Sequence, residues 1–168
     1  MQQHSATNFN KLLGKNLLHQ TNELVDYFSN FYDAIKSNLD INAIYVEMNE
    51  FTINWDLWFL ELFAYDHIGE ISDLDWLTDW EEGNSSDNIF PLTGFEDLQM
   101  AYQDYMDNEK YRNEKMERAS NVAELLIILR LQELVRDAVQ KAKQKNLPWA
   151  TIPVFATAHD YDMIYRIN

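Results

Sequence analysis

The amino-acid sequence predicts an α+β fold in which a mostly antiparallel sheet packs against helices. Three observations predict it. Apolar residues recur every three or four positions near the N-terminus and again between residues 94 and 145, the period of an amphipathic helix. Between residues 43 and 80 the period falls to two, with β-branched and aromatic residues enriched, as in strands. A second alternating stretch closes the chain. With 168 residues, 46% of them hydrophobic and 14% aromatic, the chain carries enough apolar surface for one core. It reads as one domain over residues 1–168.

From Thr7 to Asn38 the apolar positions Phe9, Leu12, Leu13, Leu17, Leu24, Val25, Phe28, Phe31, Tyr32 and Ile35 predict a helix, with Gly14 and the polar run 19–22 as points of interruption. Ile44, Val46 and Met48 then alternate with Tyr45, Glu47 and Asn49. After a bend near Met48-Asn49-Glu50, Ile53, Trp55, Leu57 and Phe59 alternate with Asn54, Asp56 and Trp58. Two strands are expected. The second, through Trp58–Phe63, is apolar on both sides in places and should lie inside the sheet. Ile71–Glu82 reads as a further strand, with Leu74, Trp76, Thr78 and Trp80 on one side and Asp73, Asp75, Asp79 and Glu81 on the other. Residues 82–88 are loop chemistry.

Thr93-Gly94-Phe95-Glu96 has the form of a capping box and predicts a helix over about 94–108. A second helix, over about 120–145, is capped by Ser120 or Asn121 and buries Leu125–Leu129, which is apolar nearly all round. Lys141, Lys143 and Lys145 complement the negative end of its dipole. Leu147-Pro148-Trp149 ends it. Ile152–Ile167 is expected to form a hairpin that turns at His159-Asp160-Tyr161-Asp162.

The charge is distributed unevenly. Between Lys36 and Lys110 lie 73 residues with no Lys or Arg and 18 Asp or Glu, so this stretch carries all of the net negative charge of a chain whose overall charge is −15. Such charge repels nucleic acid and anionic membranes and favours a basic protein as partner. Like charges placed together destabilise a fold, and an ordinary surface intersperses bases to relieve them. The expected binding face is therefore Asp73, Asp75, Trp76, Asp79, Trp80, Glu81, Glu82 and Asp87, with the tryptophans as anchors. The competing reading is a solvated strand face whose tryptophans belong to the core. In size, charge and fold class the chain is similar to small acidic bacterial immunity proteins, which neutralise basic toxins. That similarity implies a non-enzymatic inhibitor that occludes a cationic active site.

Two further readings compete with it. Asp66, His67, His159 and Asp162 would serve a metal-assisted or acid–base hydrolase if the four converged. The recurrent His-x-x-x-His spacing is absent, and there is no cysteine. A structural module that forms a homodimer through Trp58 or Trp149 is the other. Glu61, set in an apolar run, is the candidate for acid–base catalysis, but it reads rather as a Glu at a sheet edge or one paired with a base such as Arg130. No Gly-x-Ser-x-Gly elbow or phosphate-cradling glycine loop occurs. No catalytic residue, metal or cofactor is therefore assigned. The N-terminus lacks the basic start and apolar run of a signal peptide, so a cytoplasmic protein is expected.

Overall fold

The computed structural model describes residues 6–70, 72–81 and 83–168. The first expected helix is split. Residues Ala6–Leu12 form a 3-10 helix that ends at Gly14, whose φ of 79° lies in the left-handed region. The chain is thereby redirected so that Phe9 packs edge-on against Tyr102 and Tyr105. A 3-10 turn, Leu18–Gln20, leads into α1, Thr21–Ile35. This helix buries Leu24, Val25, Phe28, Phe31 and Ile35 along one stripe.

The strands are β1 (Ala43–Met48), β2 (Phe59–Tyr65), β3 (Phe90–Pro91), β4 (Val154–Ala158) and β5 (Tyr165–Arg166), in the order β3-β2-β1-β4-β5. Three of the pairings are antiparallel and one, between β1 and β4, is parallel, so the sheet is mostly antiparallel as expected. β2 is an inner strand, but it starts only at Phe59. The alternating run Ile53–Leu57 is a loop instead. The Asn49 side chain fastens it, accepting from the Phe59 amide and donating to the Leu57 carbonyl at 3.0 Å each. The fully buried Trp58 donates to the Phe51 carbonyl at 3.0 Å.

Two further helices follow β3, α2 at Glu96–Asp107 and α3 at Glu114–Gln144. The capping box is redistributed. The Thr93 hydroxyl hydrogen-bonds His19 at 3.1 Å, the Thr93 amide donates to Gln20, and Glu96 accepts from Gly94 instead. α3 begins at Glu114, ahead of the expected cap at Ser120, because the Asn113 side chain accepts from the amides of Lys115 and Met116. Ser120 lies buried within the helix.

The strand period sorts the side chains onto two faces. Ile44, Val46, Met48, Leu60, Leu62, Val154 and Ala156 face α1 and α3 and form the main core. Trp149 stacks on Phe28 there at 4.6 Å and donates to Ser29. Gln132 of α3 ties the helix to the end of the chain, donating to the carbonyls of Ala156 and Met163. Trp58 and Trp149 are buried in this core, so neither is an anchor for a homodimer. Ala43, Tyr45, Phe63, Tyr65 and Phe155 point to the opposite face, which carries no α-helix among the described residues and forms a second, smaller core.

Candidate functional site: an acidic cleft on the helix-free sheet face

The second core is covered by the segment expected to be a strand. Residues 72–81 do not join the sheet, and Asp75–Thr78 forms one 3-10 turn. Local side-chain bonds compete with a ladder here: Asp73 accepts from the Asp75 amide at 3.1 Å, and the Thr78 hydroxyl donates to the Asp75 carbonyl at 2.7 Å. The period becomes three, so Leu74 and Leu77 point inward together. The Tyr65 hydroxyl donates to the Leu77 carbonyl and fixes the turn over the sheet. Trp76 stands edge-on against Tyr65 and Phe155, at 5.2 and 5.5 Å between ring centroids, and packs directly against Gly69.

Beside this cover lies an open cleft of about 680 Å³. Its lining includes five carboxylates, Glu47, Asp73, Asp75, Asp160 and Asp162, and aromatic rings from Tyr45, Phe63, Trp80 and Tyr161. His159 is the one basic side chain among the described lining residues. Trp80 is 45% exposed and leans over Phe63 at 5.1 Å. On the floor, the two oxygens of Glu47 are engaged separately. One accepts from the Tyr45 hydroxyl at 2.9 Å and the other bonds His159 Nδ1 at 2.9 Å. That hydrogen bond, followed by the charge of Glu47 and its acidic neighbours, outweighs burial and raises the His159 imidazole above its ordinary value. Glu61 lies directly across the strand pair from Glu47. Burial first, then the Glu47 charge, raises its carboxyl above the ordinary range. Asp160, at a φ of 62°, turns the chain just after His159.

The structure redistributes the expected face. Asp73, Asp75 and Trp80 line the cleft, while Trp76 sits behind it as core. Asp79 and Glu81 are exposed beside it. Glu82 lies outside the described residues. Asp87 borders a separate depression against Tyr27 and Asn30 of α1, so it does not share the site. Glu61 does not pair with Arg130, which bonds Glu133 at 2.8 Å within α3. The four residues of the hydrolase reading do not converge. Asp66 and His67 bond each other at 2.8 Å just past the end of β2, which pairs with the start of β1. The His159 amide instead donates to Met48, at the other end of β1. A six-residue strand separates them by about 17 Å. Among the described residues, no three His, Asp or Glu side chains are placed to share a metal ion. None of the described helices is long and apolar enough to cross a membrane.

Sequence reasoning missed Glu47, Tyr45 and His159 as a unit. Its trace in the sequence is the alternation that puts Tyr45 and Glu47 on the side opposite Ile44, Val46 and Met48. The parallel pairing that brings His159 alongside has no local signature. Compared with protein-family models, with curated proteins and with solved structures, the chain matches none.

Proposed function

We propose that this chain is a non-enzymatic acidic binding protein that docks on a basic protein, in the specific form of an immunity protein or inhibitor that occludes a toxin's cationic active site. One observation carries the reading: a cleft lined by five carboxylates and four aromatic rings, with no Lys or Arg among its described lining residues. A cationic side chain entering it meets charge on several sides and ring surface for its apolar stem. The surrounding field of unrelieved Asp and Glu would raise the association rate and select against acidic partners. A cytoplasmic setting belongs to the same proposal, since a chain without cysteine needs no oxidising compartment.

The test is affinity capture from native lysate at low and high salt, with mass spectrometry of what elutes. The parent is compared with Asp75→Lys inside the cleft and Asp87→Lys outside it. The expected result is a basic protein released by salt, lost with Asp75→Lys and retained with Asp87→Lys. Equal capture by all three chains would sink the reading.

A further inference from the structure

Another pocket, of about 380 Å³, opens where α2, α3 and the turn after β4 meet. Four tyrosines from three separate segments border it; Tyr111 and Tyr161 present accessible ring surface, while Tyr102 and Tyr105 are buried behind them. Tyr102 and Tyr105 come from α2, Tyr111 from the 3-10 turn Lys110–Arg112, and Tyr161 from the turn. The rings of Tyr105 and Tyr111 stand at 74° with centroids 6.3 Å apart, forming a corner. Tyr161 is backed on one side by the parallel ring of Phe51 at 5.5 Å. Glu124 of α3 completes the wall, and both its oxygens are oriented from within the pocket. The Ser120 hydroxyl donates to one and the Tyr161 hydroxyl to the other, each at 2.9 Å.

The charge in this pocket is not balanced. Among the described residues no Lys, Arg or His pairs with Glu124. Lys110 and Arg112 flank Tyr111, but they are held by Asp104 and Glu109. Burial first and then the charge of Glu124 push the Tyr102 and Tyr161 hydroxyls well above their ordinary value, so both stay neutral phenols. Perpendicular aromatic rings around a fixed, half-buried carboxylate attract a cation that needs no hydrogen-bond acceptors of its own. A primary ammonium is strongly hydrated and gives up water on entry, whereas a trimethylammonium is apolar at its surface and spreads its charge over methyl groups that lie against ring faces.

We propose that this pocket binds a trimethylammonium group. The inference does not rest on the docking reading, and of these residues Tyr161 alone also lines the acidic cleft. The group has two sources, a free choline-type molecule or a trimethylated lysine in a peptide.

The test is NMR titration of the full chain, following the Met106 methyl and Tyr111 ring signals. Four probes are used: choline, its neutral carbon isostere 3,3-dimethylbutan-1-ol, and blocked lysine with and without three methyl groups. Both quaternary probes are expected to bind saturably, about tenfold tighter than the neutral isostere. Tyr111→Ala, at a ring already 40% exposed, and Glu124→Gln, which keeps the side-chain shape, should each weaken binding about five- to tenfold. Asp75→Lys should leave it unchanged. Tighter binding of choline would point to the small molecule, and tighter binding of trimethyllysine to a modified protein. The proposal is overturned if no quaternary probe gives a saturable shift, or if the neutral isostere or unmethylated lysine binds equally well.

Discussion

Gly69→Ala tests how the cover of the second core is held in place. A Cβ at this position would lie 2.3 Å from Cγ and Cδ1 of the Trp76 ring and 2.7 Å from Cδ2. Carbon atoms rest at about 3.5–4.0 Å, so the ring or the backbone must give way by about 1.2 Å or more. The atoms met are the root of the indole, so rotating its far edge does not relieve the contact, and Tyr65 and Phe155 box the ring in. Overpacking of this kind costs about 1–3 kcal/mol, whereas replacing glycine restricts the unfolded chain and returns about 0.4–1 kcal/mol. Gly69 does not need the left-handed region, so backbone strain adds nothing. The expected net effect is a loss of about 1–2 kcal/mol, read from urea unfolding followed by far-UV circular dichroism. The same substitution in a Trp76→Ala background meets no ring and should be neutral or slightly stabilising. If Gly69→Ala is as stable as the parent, or equally costly in both backgrounds, the cover is not positioned by this contact.

Glu47→Gln should lower the His159 pKa toward the ordinary histidine value of 6.5, measured by NMR titration of the ring. Because the folded-state value is raised, the stability that Glu47 lends through His159 is complete below pH 6.5. It is lost as the pH rises through the folded value. The advantage of parent over variant should shrink across that window, and an unchanged His159 titration would refute the coupling. Asn113→Ala removes the acceptor for two amides at the start of α3 and should cost about 1 kcal/mol in urea unfolding. No loss would mean that the first turn of the helix is held from elsewhere.

Most helix positions and the sheet core were legible because burial imposes their periods on residues that are neighbours in sequence. The run Leu125–Leu129, expected to be buried, instead leaves Leu125 and Leu129 exposed. Phe28, Phe31 and Ile35 of α1, and Ile44, Val46 and Met48 of β1, needed no tertiary information. The segment 71–82 was misread because alternating Trp and Asp satisfies a period of two, while the Asx and hydroxyl bonds of Asp73 and Thr78 favour a tight turn. The break at Gly14 was legible as a point of interruption, whereas the early start of α3 was not. Both depend on one residue, a glycine at positive φ and an asparagine cap. The acidic character of the site was readable as a gap in Lys and Arg. Its floor was not, because Glu47 and His159 meet only through the pairing of β1 with β4, across 112 residues. Asp87 was grouped with the face by nearness in sequence, and the fold carries it around to α1.

The borders of the sheet restrict how anything else joins it. Each outer strand is two residues long. One contains Pro91, which has no amide to offer, and the other ends in Arg166. Above β3, residues 84–86 already occupy the free edge of β2, with Asn84 accepting from Ala64 and Ser86 donating to Leu62. An incoming extended peptide would find almost no run of unpaired amides and carbonyls to copy. The same arrangement resists edge-to-edge stacking of many copies, a hazard for a chain this rich in aromatic and β-branched residues. The borders of the sheet therefore offer little for an extended chain to continue as a backbone ladder.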